Sequence, residues 1–292
     1  MEEFIRYFYK LSIDKINKKD NKYLIESNKK KYQLIDYKSD PNILYKNYIN
    51  FKNNGVCCHD IIINKDKNIL SIYDNKNYLL LKENIDSVEN ISLDEIINSN
   101  LIINYNQEIS LKSRWEQKND YYESIIDNIS LENEYILESF DYYLGLSELS
   151  ISLLNYVNFN NVKYYAQHNR LKYNETIEDF YNPINMLIDT RARDIALYIK
   201  SNFFNNNMDN EQAKNILNKL NFNNDEIILL VCRLIYPDYY FDILDEIINE
   251  NMNNDKIKEC INKNTSYEVF LKKIYNYLYC IYDIPKIKFL IQ

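Results

Sequence analysis

Glycine and proline are scarce in this chain, with 2 glycines and 4 prolines in 292 residues. Tyrosine, by contrast, occurs 29 times, and asparagine, isoleucine and lysine are also abundant. We interpret this bias as the mark of an AT-rich genome, so many exposed asparagines and lysines reflect codon supply rather than function. No stretch approaches the roughly 18 consecutive apolar residues that a membrane-spanning helix needs. The N-terminus, MEEFIRYFYK, lacks the basic and then apolar pattern of a secretory signal, so we expect a cytoplasmic protein without a membrane span.

Cysteine is also limited. The number of cysteines is odd, they lie on mostly apolar, helical-looking segments, and no two of them form a C-x-x-C pair. The five are Cys57, Cys58, Cys232, Cys260 and Cys280. This usage favours buried thiols in a reducing compartment over a disulfide framework. The apolar fraction of 46% and the charged fraction of 27% are typical of a soluble globular protein with a substantial core.

The net charge of −8 argues against general nucleic-acid binding, which needs a basic face to neutralise phosphates. One run, from Lys15 to Lys38, is locally basic. Its lysines cluster at predicted turns, so we interpret it as a solvated hairpin surface rather than a nucleic-acid patch.

Residues 1–82 are predicted to contain mainly strands. Short aromatic and β-branched runs between polar turns are typical of hairpins. The strand candidates are Lys22–Glu26, Lys31–Tyr37, Ile61–Asn64, Ile69–Tyr73 and Tyr78–Lys82. A helix is predicted over Asn42–Lys52, with Gly55 as its C-terminal cap. The expected result is about five strands with one helix inserted after the third.

Residues 83–113 are predicted to connect two parts of the chain, with a short helix over Ser92–Ser99 that has a capping box formed by Ser92 and Glu95. From Trp115 onward the apolar residues recur at helical spacing. After the helices predicted around Trp115–Ile129 and Phe140–Leu154, the later helices are predicted over Asn185–Phe204, Glu211–Leu220, Asp225–Tyr236, Pro237–Glu250 and Ser266–Tyr282. The tyrosines of SFDYYLGL and YPDYYFDIL are interpreted as core and interface residues.

Three stretches of the sequence resemble a known family. They are Trp115 to Leu154, the segment IDTRARDIALYIKSNFF, and the closing DIPKIKFLI. They resemble bacterial proteins related to spore coat proteins of kinase-like fold, which in turn resemble aminoglycoside and choline phosphotransferases. The resemblance covers nearly the whole chain. It implies an α+β, two-lobed protein-kinase-like fold, with a β-rich N-terminal lobe (1–82), a linker (83–113) and a helical C-terminal lobe (114–292).

The catalytic loop of these phosphotransferases reads H-G-D-x-x-x-x-N. Laid from His168, the loop places Arg170 at the position of the catalytic Asp and Glu175 at that of the metal-binding Asn. An arginine cannot accept the proton of a substrate hydroxyl, because its pKa stays above about 12. We therefore interpret this loop as degenerate and His168 as a structural residue.

The nucleotide-binding parts of the family are also poorly matched. The turn KINKKDNK contains no glycine, so it does not predict a backbone cradle for phosphate. The lysine that pairs the phosphates would fall near Ile35 or Asp36 of the strand KYQLIDY. Lys38 or Lys31 could replace it only with a shift of register.

Two aspartates complete the comparison. Asp189 matches the I-D-x start of the family's metal motif, and it either binds metal or sits on a helix after that loop has been shortened. We favour the deletion. The resemblance implies that Asp194 is a structural anchor that accepts hydrogen bonds from the backbone near His168, and Asp189, Arg191, Arg193 and Asp194 are expected to form a mixed ion-pair network.

The run Cys57-Cys58-His59-Asp60 holds four possible metal ligands. Adjacent residues of an extended chain point to opposite sides, so they cannot complete a tetrahedral site together, and we predict no metal there.

Three hypotheses remain open. The first is a catalytically inactive kinase-like protein, without a cofactor, that binds an unknown protein or small-molecule partner in the former interlobe cleft; the resemblance implies a link to the spore coat or envelope. The second is a divergent phosphotransferase that uses ATP and Mg²⁺, with Asp189 or Glu175 holding the metal and Asp179 or Glu178 as base. The third is a helical adaptor of another fold.

Overall fold

The computed structural model of the protein describes residues 1–291 except 20, 86, 100, 105–109, 131–132 and 251–254. Contacts within the chain define two compact units. Unit 1 comprises Met1–Asn104 and Tyr164–Ile188, and unit 2 comprises Tyr105–Lys163 and Asp189–Gln292. The segment that carries His168 therefore makes its contacts within the β-rich unit. The boundaries predicted from the sequence, after residues 82 and 113, assign this segment to the helical lobe instead. Residues 86, 100 and 105–109 of the predicted linker lie outside the described residues.

The elements follow one another in a β-rich and then a helical order. They are α1 (Glu2–Tyr9), β1 (Lys15–Lys19), β2 (Lys22–Ser27), β3 (Lys30–Asp36), α2 (Pro41–Asn53), β4 (Asp60–Ile62), β5 (Leu70–Tyr73), β6 (Lys76–Lys82), α3 (Leu93–Asn98), β7 (Ile102–Ile103), α4 (Leu111–Ser130), α5 (Glu134–Leu153), β8 (Tyr164–His168), α6 (Ile177–Phe180), β9 (Met186–Thr190), α7 (Ala192–Phe204), α8 (Asn210–Lys219), α9 (Asn224–Ile235), α10 (Asp238–Glu250) and α11 (Asp255–Ile281).

The main sheet of unit 1 is antiparallel. Its strand order is β1-β2-β3-β6-β4, and β5 pairs with β6 as well. Successive side chains of β6 point to opposite faces of the sheet, so Leu80 lies on one face and Leu79 and Leu81 lie on the other. The first face packs against Phe4 and Ile5 of α1, while the second packs against residues of α2 that include Leu44. A smaller sheet, β7-β8-β9, carries the segment that ends at His168.

The sequence predictions for this region are confirmed in outline. Helix α2 follows the third strand of the structure, although only two of the five strand candidates precede it. Ser92 and Glu95 form the predicted capping box, and Gly55 follows the end of α2 with a φ of 74°. Strand β1 was missed because its sequence, KINKK, lies on a sheet edge with mostly exposed lysines and shows no apolar alternation. Helix α1 was not predicted either.

The helix predicted over Asn185–Phe204 was wrong in its first third. Residues 186–190 form strand β9 beside β8, and the helix begins only at Ala192. A short apolar run such as Met186-Leu187-Ile188 suits a helix or a strand equally, and the neighbouring strand decides between them. Asp189 therefore lies on a strand and not on a helix.

The core of unit 2 is built on stacked aromatic rings. Trp115 stacks on Tyr236 with 4.1 Å between ring centroids, Tyr122 on Phe241 at 4.7 Å, and Tyr143 on Tyr240 at 3.8 Å. The tyrosines of SFDYYLGL and YPDYYFDIL thus include core residues, as predicted.

The five cysteines are all free thiols. Cys58, Cys232 and Cys260 are buried, but Cys57 and Cys280 are exposed, so the prediction of buried thiols was wrong for these two. Among the described residues, no helix is long and apolar enough to cross a membrane.

Candidate functional site

Two adjoining cavities in unit 1 form what we term the hairpin groove, which lies between the β1–β2 hairpin and the loop after β8. Their volumes are about 290 and 450 Å³. Lys19, Lys22, Thr176 and Asp179 line both of them. The larger cavity also contacts Arg170, Lys172 and Glu175, so the structure brings the predicted loop residues together with the hairpin.

One face of the main sheet forms the floor of this groove. Residues that stand opposite each other in neighbouring antiparallel strands share a face. Lys22 stands opposite Ile35, and Leu24 stands opposite Gln33. The smaller cavity is lined from this face by Lys22, Leu24 and Lys31.

Lys22 supplies the central cation of this face. Its Nζ donates to Gln33 Oε1 at 3.1 Å, and it lies 3.5 Å from Asp179 Oδ1 and 3.9 Å from Glu178 Oε1. Gln33, which is fully buried, donates to Glu178 Oε1 at 2.5 Å. Lys22 thus stands opposite Ile35, one of the two positions near which the phosphate-pairing lysine was expected.

Sequence reasoning missed Lys22 because it searched only the strand KYQLIDY, whereas the register of β2 against β3 could have revealed it. Of the two lysines proposed as substitutes, Lys31 lines the smaller cavity. Lys38 lies in the exposed turn after β3, outside the residues that line the groove.

Arg170 is held in the groove wall through its backbone. The side-chain oxygen of Asn185 accepts from the Arg170 N–H at 3.1 Å, and its amide donates to the Arg170 carbonyl at 2.6 Å. The Asn169 N–H donates to the Asn185 carbonyl at 2.7 Å. One asparagine therefore fixes the position predicted for the proton acceptor, and a guanidinium group stands there instead of a carboxylate.

Glu175 closes a turn at the position that the family assigns to a metal ligand. Its Oε2 accepts from the Lys172 N–H at 2.9 Å, and its own N–H donates to the Lys172 carbonyl at 3.2 Å. Asn174, between them, has a φ of 58°, a left-handed conformation that asparagine tolerates. Burial raises the pKa of Glu175 above its ordinary value, despite the hydrogen bond from Lys172.

His168 is packed inside unit 1. Its side chain is buried, and its Nε2 lies 2.7 Å from the Phe180 carbonyl oxygen. The centroids of the His168 and Phe180 rings are 4.0 Å apart. Glu178 and Asp179 follow on α6, where Thr176 caps the helix by accepting from the Asp179 N–H at 3.1 Å.

The backbone around α6 is tied to residues 87–91. Ile91 N–H donates to the Glu175 carbonyl, and Ile177 N–H donates to the Glu89 carbonyl. These bonds fix the backbone at the start of α6 to the segment 87–91.

Asp189 was the second candidate metal ligand. It is 1% exposed in unit 2, and both of its oxygens are engaged: Oδ1 accepts from Thr190 N–H and Arg233, and Oδ2 accepts from Arg193 at 3.1 Å. Arg114 lies 3.8 Å from Oδ2. Burial alone would raise the pKa of Asp189, but the charges of Arg233 and Arg193 outweigh it and hold the pKa below its ordinary value.

The predicted ion-pair network is only partly as expected. Asp189 pairs with Arg193, but Arg191 forms a two-pronged pair with the buried Glu226 instead. Asp194 is buried on α7, and its role as anchor stays a prediction. Among the described residues, no group of three or more His, Cys, Asp or Glu side chains could hold a metal ion.

His59, from the run Cys57-Cys58-His59-Asp60, is a structural residue of unit 1. Its ring is fully buried; Nδ1 accepts from the Asn84 N–H at 3.2 Å, so Nε2 carries the proton and donates to the Glu178 carbonyl at 2.9 Å. Its backbone N–H donates to the Tyr181 carbonyl at 3.0 Å. Burial lowers the pKa of His59 from its ordinary value of 6.5.

This histidine is expected to make stability depend on pH. As the pH falls below 6.5, the unfolded chain takes up a proton on His59 that the folded chain resists, so the free energy of unfolding decreases. The His59→Gln variant should be less stable by about 1–3 kcal/mol near neutral pH, because buried partners lose their hydrogen bonds. It should also lose this part of the pH dependence. Urea unfolding at about pH 7 and about pH 5 measures both effects, and an equal pH dependence in the two proteins would contradict the assignment.

Comparison with known proteins places the chain among kinase-like proteins. A family model described as "Spore coat putative kinase YutH" matches residues 2–274. An aminoglycoside phosphotransferase from Alicyclobacillus acidocaldarius is similar in structure, with a TM-score of 0.65 at 10% identity over 96% of this chain and 97% of that one. Choline kinase LicA from Streptococcus pneumoniae has a TM-score of 0.54 at 12% identity, over 94% and 98%.

Spectinomycin phosphotransferase APH(9)-Ia, in complex with ADP and spectinomycin, also has a TM-score of 0.54 at 12% identity, over 94% and 92%. A comparison with curated protein sequences gave no significant match. These similarities confirm the predicted α+β, protein-kinase-like fold, and they rule out the helical adaptor of another fold.

Proposed function

The chain belongs to the spore coat kinase-like family, and we propose that it is a catalytically inactive member that acts by binding a small ligand or a protein partner. The observation that carries the proposal is Arg170, held by Asn185 at the position of the proton acceptor. We propose spore coat or envelope assembly as the process it serves.

Phosphoryl transfer depends on positioning and on neutralising the charge of the phosphates, with a carboxylate to receive the hydroxyl proton. Arg170 cannot receive a proton, and its positive charge would oppose a divalent cation beside it. The charge at this position of the loop is therefore reversed, because a positively charged guanidinium group replaces the carboxylate that works with a metal ion.

The residues present do not fit a magnesium site. Asp189 could bind a cation only by giving up its bonds to Arg193 and Arg233, which would bring the cation close to two positively charged guanidinium groups. One oxygen of Glu175 already accepts the Lys172 N–H. We therefore derive no catalytic step that uses Mg²⁺.

The alternative is a divergent phosphotransferase with Glu178 or Asp179 as base. Asp179 favours it to some extent, because its side chain is 47% exposed in the groove. However, Lys22 forms ion pairs with both carboxylates, and Gln33 donates to Glu178. Glu178 or Asp179 could act as a base only after its contacts with Lys22 or Gln33 were broken.

Thermal unfolding with ATP and Mg²⁺, together with transfer of labelled phosphate from ATP, tests the proposal. We expect no metal-dependent stabilisation and no transfer above that of buffer. A ligand that binds the native state stabilises it by about 2.7 kcal/mol at a hundredfold excess over its Kd, so an effect of that size that disappears with EDTA would contradict inactivity. Transfer that is lost in the Asp179→Asn variant would establish the alternative.

A further inference from the structure

We propose that the hairpin groove binds a small phosphate monoester that also carries hydroxyl groups, such as a sugar phosphate, and that it does so without a metal ion. Arg170 and Lys172 would contact the phosphate. The inference deepens the proposed function and rests on it, because it names the class of ligand for the same groove.

The charge of the larger cavity is the first argument. Its described lining contains four basic side chains, Lys19, Lys22, Arg170 and Lys172, against two carboxylates, Glu175 and Asp179. This excess does not follow from the composition of the unit, since unit 1 has 18 Lys and Arg against 18 Asp and Glu. Unit 2, with 17 against 25, carries the whole net charge of −8. The larger cavity of the groove therefore concentrates positive charge in a protein that is acidic overall.

The pairing of these cations is the second argument. Lys22 is compensated by Glu178 and Asp179. Lys19 and Lys172, in contrast, form no salt bridge within the described part of the chain, although both line the cavity. Cationic groups gathered around one cavity repel each other, and a bound anion would turn that repulsion into attraction.

The positioning of the cations is the third argument. Asn185 binds the Arg170 backbone on both sides, and Glu175 closes the turn that begins at Lys172. Fixing the backbone that carries these side chains before the ligand arrives lowers the entropy that binding would otherwise cost. A guanidinium group can also donate two parallel hydrogen bonds to a phosphate, which a free ammonium group cannot.

The two carboxylates of the larger cavity indicate that the ligand carries hydroxyl groups in addition to the phosphate. Glu175 and Asp179 lie in the same cavity as the cations, and they would repel a polyphosphate but accept hydrogen bonds from hydroxyl groups. A cavity of about 450 Å³ is in the range of small-molecule sites. A monoester with several hydroxyl groups satisfies both signs of charge, whereas inorganic phosphate carries no alcohol hydroxyl groups that could donate to the two carboxylates.

Isothermal titration calorimetry of the full-length protein in EDTA, with glucose 6-phosphate, glycerol 3-phosphate, inorganic phosphate and glucose as probes, tests the inference. We expect saturable 1:1 binding of at least one of the two esters, with inorganic phosphate at least tenfold weaker and glucose not bound. The Arg170→Gln and Lys172→Gln variants should each weaken ester binding at least tenfold. The Lys38→Gln variant removes an equal charge from the exposed turn after β3, and it should change the Kd by less than about twofold.

Several outcomes would overturn the inference. They are the absence of binding by both esters, binding that requires Mg²⁺, equal affinity for inorganic phosphate and ester, and unchanged affinity in the Arg170→Gln variant. Circular dichroism of each variant checks that it is folded. Phosphate transfer from ATP would refute the proposed inactivity whether or not an ester binds, whereas absence of both transfer and ester binding would refute only the ligand proposed here.

Discussion

The Asp189→Asn substitution is expected to lower the free energy of unfolding of unit 2 by about 3–5 kcal/mol, because removing one partner of a buried ion pair leaves the other charges uncompensated. The carboxylate is 1% exposed and accepts from Arg233 and Arg193, with Arg114 nearby. Asparagine keeps the shape of the side chain but not its charge. The loss therefore combines the removed charge with the loss of one hydrogen-bond acceptor, because both oxygens of Asp189 accept hydrogen bonds.

The tryptophan fluorescence of the protein is a suitable probe for this measurement. Trp115 is the single tryptophan of the sequence, and it stacks on Tyr236 in the core of unit 2. The Glu211→Gln variant is the control, because it removes one negative charge from a side chain of the same unit that is 76% exposed. It should change stability by less than about 0.5 kcal/mol. A similar small effect for Asp189→Asn would show that the three arginines do not depend on this carboxylate.

The Tyr122→Ala substitution is expected to cost about 3–5 kcal/mol, the range for removing a large buried aromatic side chain. Tyr122 is 1% exposed, its ring stacks on Phe241, and its hydroxyl donates to Asp245 Oδ1 at 2.6 Å. Deleting the ring leaves a cavity between α4 and α10. Urea unfolding followed through Trp115 measures the loss.

Its neighbour provides a matched control. Tyr121, on the same helix, is 46% exposed, and Tyr121→Ala should cost less than about 1 kcal/mol. The Tyr122→Phe variant keeps the ring and should lose only about 0.5–1.5 kcal/mol for the hydroxyl hydrogen bond. Equal losses for Tyr121→Ala and Tyr122→Ala would contradict the description of this core.

The candidate site combines a kinase-like fold with charges that differ from those of a metal-dependent transferase. Arg170, which the resemblance assigns to the position of the catalytic carboxylate, lines the larger cavity, and Lys22 reaches the floor of the groove from β2. Glu178 and Asp179 are engaged by that lysine. An inactive protein that retains a binding groove accounts for these changes together, and the ester titration and the ATP experiment test its two parts separately.

The fold could be predicted from the sequence. The periodicity of apolar residues predicted the helix over Asn42–Lys52, and the spacing of Ser92 and Glu95 predicted their capping box. Both signals depend only on residues a few positions apart in the sequence. The resemblance predicted the family, which the match over residues 2–274 confirms. The replacement of the loop's Asp and Asn by Arg170 and Glu175 stays a prediction, which rests on the fixed spacing of the loop motif.

Contacts between distant residues decided the remainder. Strand β9 replaced the first part of a predicted helix because β8 lies beside it, and Asp189 is surrounded by arginines from positions 114, 193 and 233. The meeting of Lys22 with Glu178 joins residues 156 positions apart. The sequence by itself determined which chemical groups this protein has and which elements carry them. Only the tertiary structure decided which charges meet, because the energy of a charged pair depends on distance and burial, and neither follows from separation along the chain.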